Sequence, residues 1–388
     1  MSMIEKRKKE RINLVLNTIK SYPDSSKTEI KKISGLSMEV VLQYIDYLTE
    51  EGLIYCSGAN ADEEAKVGRR ADRYRLNPAG GKFLGVKFTA RRMSGVITDF
   101  CGDVIATYES EKDNLRISPQ ELMERLYRCI DSLIQTFPVN TLTAIGLSAP
   151  GFVDSKNGEL LRYNNLLSDV PLPLKRGVEA KYGIPVFVDG TTRSKAIAYH
   201  LNAGKDIENF AYIFIGTGCT SAYIYKNNLY RGGNSFDGEL GHLPVFGKSK
   251  ECSCGKRGCL ETVVGNRYII KEMQERGRTD CSTIEDFVSA AENSDAAALA
   301  VLEEAAKAIA YAVTAVITLY DPQNIILCGD YIDCDKFKEP FRRWLSEVCL
   351  RDLYKRTELH FIKNQRGDNA TDAALLCYYN LYYNKNLI

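Results

Sequence analysis

The sequence predicts a mixed α/β fold in which a small N-terminal region precedes two larger α/β lobes. Three observations predict it. Short amphipathic helices meet at a glycine turn before residue 50, apolar strands alternate with helices after Asn77-Pro78, and a strand hairpin restarts this alternation near residue 211. We therefore expect domains at 1–78, 79–190 and 191–388, with the C-terminal helix able to return to the first lobe.

Composition and charge set broad limits on the protein. Its 388 residues are 45% apolar and 26% charged, typical of a globular chain with a sizeable core. The net charge of +1 excludes no class of partner. Twelve cysteines lack the spacing of a disulfide framework, and no apolar run has the length of a membrane span. We expect a cytoplasmic protein with reduced thiols and no membrane contact.

The first domain has the pattern of a winged helix-turn-helix. Apolar side chains recur at helical spacing in 11–20, Ser26 can begin a second helix, and Gly35-Leu36-Ser37 predicts a turn with a serine N-cap. Strands starting near residue 52 and at 69–76 then predict a β-hairpin wing. Such modules bind duplex DNA through a recognition helix in the major groove, although some serve only protein contacts.

Charge supports the DNA-binding interpretation. Residues 6–32 hold nine Lys or Arg against three acids. The expected DNA-contacting residues lie at the start of the recognition helix, on the preceding helix and in the wing: Ser37, Met38, Glu39, Leu42, Gln43, Lys27, Arg69 and Arg70. Because the recognition helix begins with few bases, nonspecific affinity would come mainly from the N-terminal lysines and the wing. Glu39 near phosphates is repulsive unless it accepts from a cytosine amino group.

A compact set of metal-ligand residues follows in the third domain. His242, Cys252, Cys254 and Cys259 place one imidazole and three potential thiolates within eighteen residues. Thiolates select zinc over magnesium or calcium, and four protein ligands without a vacancy predict one structural zinc ion per chain. The alternative is three ordinary reduced cysteines in a loop.

The two larger domains repeat one pattern. Each begins with a strand hairpin and continues with helices and further buried strands, as at 82–100 and from residue 211 onward. Two α/β halves of this kind describe the actin-like, ribonuclease-H-like fold of sugar kinases, here preceded by the winged helix-turn-helix.

Motifs in order along residues 11–380 make the sequence resemble the ROK family, a group of repressors, open-reading-frame proteins and kinases. The attached helix-turn-helix is similar to that of the repressor branch. The matching pieces are GRR (68–70), LNP (76–78), GLSAPGFVD (146–154), NNL (164–166), GTG (216–218), GELGH (238–242), GCLE (258–261) and DPQNIIL (321–327).

The resemblance implies a sugar pocket. Glu239 and His242 of GELGH, and Glu261 after the cysteine loop, match family residues that hydrogen-bond sugar hydroxyls. Asn165 and the backbone around Gly151 would line the same pocket. His242 would bind zinc with one ring nitrogen and face the sugar with the other. Surface carboxylates beside a metal loop are the alternative for the two glutamates.

The same resemblance implies that phosphate transfer is lost, so we expect no catalytic residues. Family kinases carry Asn-Asp where this chain has Gly190-Thr191, and a threonine hydroxyl cannot act as a base near neutral pH. Asp189 is a poor substitute because neighbouring strand residues face opposite ways. The phosphate hairpin is Lys87–Arg91 without acid or glycine, Gly216-Thr217-Gly218 lacks the further glycines, and Cys328-Gly329-Asp330 replaces Gly-Gly.

We therefore expect a sugar-responsive transcription regulator, most simply a repressor of carbohydrate-utilisation genes. It would bind operator DNA as a homodimer or dimer of dimers and respond to an inducer such as xylose, glucose or an amino sugar. Two alternatives stay open at this point. One is an active sugar kinase with a DNA-binding appendage, and the other is a regulator controlled by a protein partner without sugar binding.

Overall fold

The computed structural model describes residues 3–58, 71–89, 92–111, 116–168, 170–202, 207–364 and 370–383. It divides the chain into two compact units, one formed by 1–205 with 368–388 and the other by 206–367. Among the helices described in these ranges, none is long and apolar enough to cross a membrane.

The first unit contains these helices: α1 Met3–Ser21, α2 Lys27–Ser34, α3 Met38–Glu50, α4 Pro119–Ile134, α5 Leu174–Tyr182, α6 Thr191–Asn202 and, from the end of the chain, α13 Thr371–Tyr378. Its strands are β1 Ser25–Ser26, β2 Ile54–Gly58, β3 Arg73–Leu76, β4 Lys82–Phe88, β5 Met93–Asp99, β6 Val104–Glu109, β7 Ala144–Ala149, β8 Phe152–Asp154, β9 Glu159–Arg162 and β10 Val186–Gly190.

The second unit contains α7 Glu261–Val264, α8 Asn266–Glu275, α9 Ile284–Glu292, α10 Ala296–Tyr320, α11 Asp335–Val348 and α12 Arg351–Arg356. Its strands are β11 Phe210–Ile215, β12 Cys219–Tyr225, β13 Asn228–Leu229, β14 Asn324–Gly329 and β15 Glu358–Lys363.

The N-terminal region is a winged helix-turn-helix, as the sequence predicts. Ser26 caps α2 in a reciprocal capping box with Glu29, and Gly35 ends that helix with φ at +70°. Ser37 then caps α3, accepting from the Val40 amide. Strands β2 and β3 pair antiparallel, with β1 on the other side of β3. Helix α1 begins well before the predicted residue 11, so much of the basic N-terminal segment is helical.

The two large sheets have the same topology. Across each five-stranded sheet, the spatial order of the strands is β6-β5-β4-β7-β10 in the first and β13-β12-β11-β14-β15 in the second. Numbered by their order in the chain, both sheets therefore read 3-2-1-4-5. The first three strands of each set are antiparallel, and the last two run parallel to the first. This duplicated arrangement is the predicted actin-like, ribonuclease-H-like fold.

Helix α13 lies directly on the first sheet because two glycines leave room for it. An ideal Cβ on Gly146 would be 1.8 Å from the Ala373 carbonyl oxygen, and one on Gly85 would be 2.4 Å from the Ala374 nitrogen. A side chain at either position would therefore push the helix off the strands. This C-terminal helix thus packs in the first unit.

The first unit continues past β10. Helix α6 follows β10 directly and packs against α13, so the compact unit continues to residue 205.

The far end of the C-terminal segment reaches the winged helix-turn-helix. The Asn17 side chain of α1 donates to the Tyr382 carbonyl at 2.7 Å and accepts from the Tyr378 hydroxyl at 3.1 Å. The Lys20 ammonium lies 4.9 Å from the centre of the Tyr378 ring, and its burial lowers the Lys20 pKa. Phe100 packs edge-on against both tyrosines. Helix α1 is therefore anchored to the end of the chain.

Candidate functional site

The four predicted metal ligands lie together in the second unit. Their ligand atoms, one each from His242, Cys252, Cys254 and Cys259, all fall within 4.8 Å of one another. His242 Nδ1 is 3.7 Å from Cys252 Sγ, and Cys254 Sγ is 3.7 Å from Cys259 Sγ. A tetrahedral ion with metal–sulfur distances of ~2.3 Å has ligand–ligand edges of roughly 3.5–3.8 Å. The residues therefore fit a four-coordinate metal ion.

The loop that carries the cysteines is held by its own backbone. Cys252 donates to the Lys256 carbonyl at 2.8 Å, and Val245 donates to the Gly258 carbonyl at 2.7 Å. Gly258 has φ at +74°, and a Cβ there would lie 2.3 Å from the Lys248 carbonyl oxygen. The glycine is required by this turn, which brings Cys259 back toward His242.

The pKa values of Cys254 and Cys259 are shifted in opposite directions. Burial raises the pKa of Cys259 to about 12. Burial also opposes ionisation of Cys254, but hydrogen bonds from the Lys256 amide and the neighbouring thiols outweigh it, so the pKa of Cys254 is lowered. A bound cation favours the thiolate form of all such ligands, which couples metal binding to proton release.

Two glycines fix the GELGH segment against β12. A Cβ on Gly238 would lie 1.9 Å from the Ser221 carbonyl oxygen, and one on Gly241 would lie 2.4 Å from that of Cys219. Between them, Glu239 Oε2 is 3.7 Å from His242 Nε2. Since Nδ1 of the same ring faces Cys252, the two imidazole nitrogens point to different partners. This geometry allows the shared role predicted for His242.

Glu261 begins α7 and is 9% exposed. Its Oε1 lies 3.4 Å from the Ser253 hydroxyl of the cysteine loop and 3.3 Å from Arg267 Nη2. A Cβ on Gly218 would lie 3.1 Å from Oε2 of this carboxylate. A side chain at Gly218 of the GTG turn would therefore crowd the Glu261 carboxylate beside the loop.

The other two predicted sugar-binding residues lie in the first unit. Gly151 has φ at +83°, and a Cβ there would lie 2.2 Å from the Arg162 carbonyl oxygen. Asn165 donates to the Tyr163 hydroxyl at 3.2 Å. The Tyr163 Cα is itself 3.2 Å from the position of that Cβ, so Gly151 packs against the backbone of the residue whose hydroxyl bonds to Asn165.

Asp189 is held in a buried ion pair that the sequence analysis missed. Arg193, four residues later on α6, donates through Nε to Asp189 Oδ1 at 2.6 Å and through Nη2 to the Val153 carbonyl at 2.9 Å. Their side chains are 1% and 8% exposed. Helix α6 starts at Thr191. Asp189 lies in β10 and Arg193 in α6, so the pair crosses a strand–helix junction, where the helical i, i+4 rule gives no signal.

A second buried ion pair involves the altered phosphate hairpin. Lys87 Nζ of β4 lies 3.5 Å from Asp372 Oδ2 of α13, with side chains 10% and 4% exposed. The sequence could not pair residues so far apart in the chain. The lysine thus helps to join the helix to the sheet.

The predicted DNA-contacting residues of the recognition helix are mostly accessible. Ser37, Glu39, Leu42 and Gln43 are exposed, whereas Met38 is half-buried. Lys27 is half-buried beside the Tyr74 ring, and its hydrogen bond with Tyr74 raises the lysine pKa. Arg69 and Arg70 lie outside the described residues.

Two other bases of the wing have structural partners. Arg75 forms a two-pronged pair with Asp24, and Arg73 donates to the Asp24 carbonyl at 2.6 Å. They tie β3 to the turn before α2, so these two bases have a structural role in the winged helix.

This chain combines a duplicated actin-like fold, a Cys/His cluster and a fused winged helix. These features together indicate a protein built on a sugar-kinase scaffold. The model of the ROK family matches residues 98–376, and the chain belongs to that family.

It is 25% identical over 329 residues to the xylose repressor of Bacillus subtilis (strain 168), covering 84% of this chain and 83% of that protein. It is 27% identical over 338 residues to the N-acetylglucosamine repressor of Escherichia coli O6:H1 (strain CFT073), covering 84% and 82%. A solved ROK family transcriptional regulator, a homolog of the E. coli MLC protein, has the same fold, with a TM-score of 0.83 at 23% identity over 97% of each chain.

Proposed function

We propose that this chain is a sugar-responsive, DNA-binding repressor whose kinase-like domain binds a sugar without phosphorylating it. The observation that carries the proposal is the state of the β10–α6 junction. Thr191 stands where the family's base is expected, and the neighbouring carboxylate of Asp189 is neutralised by Arg193. The junction is thus unsuited to proton abstraction, while the recognition helix keeps accessible polar side chains.

The DNA-binding part of the proposal rests on α2 and α3. Glu39, Leu42 and Gln43 are exposed along one side of α3, where they can reach base edges in the major groove. Lys27 is protonated near neutral pH because its pKa is raised, so it can contact a phosphate. Arg69 and Arg70 are proposed as further phosphate contacts.

The sugar-binding part rests on carboxylates held at fixed positions. Glu239 and Glu261 can each accept hydrogen bonds from sugar hydroxyls, and His242 Nε2 can add a third contact. Gly151 and Asn165 of the first unit are proposed as further sugar-contacting residues. Relatives of similar identity are named for xylose and for N-acetylglucosamine, so both sugars belong in any test.

We further propose that His242, Cys252, Cys254 and Cys259 hold one structural zinc ion. The ligand types and the 3.7 Å spacings favour zinc over magnesium or calcium. Bound there, the ion supplies rigidity and no reaction step. The chain's own contribution is to orient His242 through Nδ1 and to place Glu261 through Ser253.

Regulation requires two conformations with different sugar affinity. In a homodimer or dimer of dimers, two recognition helices would fit two operator half-sites. A sugar that binds one conformation more tightly would shift the population toward it and change the fit to DNA.

The test is operator release in solution. An operator is selected from random duplexes with the full chain, and fluorescence anisotropy then follows binding with xylose, glucose and N-acetylglucosamine. At least one sugar should weaken DNA binding, and Glu239→Gln should reduce this response at least about tenfold by removing a charged hydrogen-bond acceptor. Glu292→Gln, an exposed change on α9 of the same unit, is the matched control.

If calorimetry detects no sugar and Glu239→Gln leaves operator release unchanged, the sugar-response proposal fails and control by a protein partner takes its place. ADP release with the same sugars tests the kinase alternative. Turnover that disappears in Thr191→Ala would overturn the proposal that the domain only senses.

A further inference from the structure

The first unit contains a cavity that none of the proposed DNA, metal or sugar residues lines. Its volume is about 520 Å³, and it lies between the β4–β5 hairpin, the end of β6 and α4. Four buried apolar side chains line it: Phe88, Met93, Ile117 and Leu122. Pockets that hold small molecules typically measure about 300–1,000 Å³ and have mainly apolar walls.

Two tyrosines add polar groups to these walls. Tyr108 is half-buried, and the Tyr163 ring packs edge-on against Phe88 with centroids 6.2 Å apart. Burial raises the pKa of Tyr163, so its hydroxyl stays protonated at neutral pH. That hydroxyl accepts from Asn165 and keeps its own hydrogen for another acceptor.

The charged lining side chains are mainly arginines. Arg92, Arg125 and Arg128 contribute to the cavity, against one carboxylate, Glu111. Arg92 also pairs with Glu109, and Arg125 pairs with Glu121 at 2.5 Å. A guanidinium has five N–H donors, so one carboxylate partner leaves donors for a second anion. Arg128 is exposed and forms no ion pair with the residues that the structure describes.

We propose that this cavity binds a small organic anion with a flat apolar body. The body would rest on Phe88, Met93 and Leu122, and its carboxylate or phosphate ester would face the arginines. Neutral ligands would leave the guanidinium groups partly desolvated without compensation, so they are disfavoured. None of the proposed sugar-contacting residues lines the cavity, although its Tyr163 hydroxyl is bonded to Asn165. The cavity is formed partly by the hairpin that lacks the kinase phosphate motif.

The test uses the full chain with phenyl phosphate, benzoate and benzyl alcohol as probes in isothermal titration calorimetry. At least one anion should bind saturably and at least about tenfold more tightly than benzyl alcohol, because it adds a charged hydrogen bond. The stronger of the two anions identifies phosphate ester or carboxylate as the preferred group.

Two substitutions should change this affinity in opposite directions. Arg128→Gln should weaken anion binding about tenfold, whereas Glu111→Gln should strengthen it a few-fold by removing the lining carboxylate. Both side chains are exposed, so neither change threatens the fold. Arg176→Gln, an exposed arginine of α5 outside the cavity, should have no effect.

Three results would overturn the proposal. The first is that neither anion binds saturably, and the second is that benzyl alcohol binds as tightly as the anions. The third is that neither Arg128→Gln nor Glu111→Gln changes the affinity for the anion. None of these results bears on operator release by sugars, so this proposal and the proposed repressor function can fail separately.

Discussion

Replacing Lys87 by methionine should loosen the C-terminal helix more than any surface change. The Lys87 ammonium lies 3.5 Å from the Asp372 carboxylate, and the two side chains are only 10% and 4% exposed. Lys87→Met leaves that carboxylate buried without its counter-charge. Breaking a buried pair in this way costs about 3–5 kcal/mol, whereas replacing both partners by apolar groups is often neutral. The double variant Lys87→Met/Asp372→Ala should therefore recover most of the loss.

The assay must report on the first unit specifically. The only tryptophan, Trp344, lies in α11 of the second unit, so its fluorescence serves as the internal control and should keep its urea midpoint. Hydrogen exchange with mass spectrometry then follows peptides from β4 and α13. At about 1.4 kcal/mol per tenfold change, a cost of about 3–5 kcal/mol accelerates exchange in α13 by roughly 10² to 4 × 10³.

Two results would refute this reasoning. The first is that Lys87→Met accelerates hydrogen exchange in α13 by less than about fivefold, which corresponds to about 1 kcal/mol. The other is a double variant that is no more protected than the single one. Either would mean that water or another group already compensates Asp372 in the fold.

Three further predictions concern smaller features. Gly241→Ala should destabilise the second unit by about 1–3 kcal/mol, because its Cβ would lie 2.4 Å from a carbonyl oxygen of β12. Trp344 fluorescence during urea unfolding measures this, and the uncrowded Gly233→Ala should be neutral. Cys254→Ser should lower zinc content below one ion per chain in metal analysis, whereas Cys334→Ser should not, and a wild type without metal would contradict the cluster. Glu29→Gln should destabilise the winged helix by about 0.5–1 kcal/mol at pH 7. Hydrogen bonds from Ser26 lower the pKa of Glu29 in the folded protein. The stabilisation by Glu29 is therefore complete above about pH 4.5, the pKa of an unperturbed glutamate, and is lost as the pH falls through the lower pKa of the folded state. A stability difference between wild type and Glu29→Gln that does not change with pH would contradict this.

Features that depend on neighbours in sequence were predictable. The helix boundaries in the winged helix could be predicted from Ser26, Gly35 and Ser37. Helix caps and left-handed turns depend only on residues a few positions away in the chain. The order of strands and helices along the chain could be predicted from the alternating apolar segments. The four metal ligands were found for the same reason, since most of their spacing is short.

Features that depend on distant partners were not predictable. Asp24 neutralises Arg75 across about fifty residues, and Lys87 meets Asp372 only after the chain has folded back. One sequence without relatives contains no signal for such pairs. The packing of α6 on α13 likewise joins segments that are far apart in the chain.

The anchoring of α1 by the end of the chain has a consequence for biosynthesis. The Asn17 side chain is bonded to Tyr378 and Tyr382, residues that leave the ribosome last among those described. The winged helix can form early from local contacts, and Lys20 already bonds to the Cys101 carbonyl of the lobe at 3.4 Å. The contact between Asn17 and Tyr382 is added only after translation has passed residue 382. A chain stopped short of this point would therefore hold its first helix to the lobe with fewer contacts.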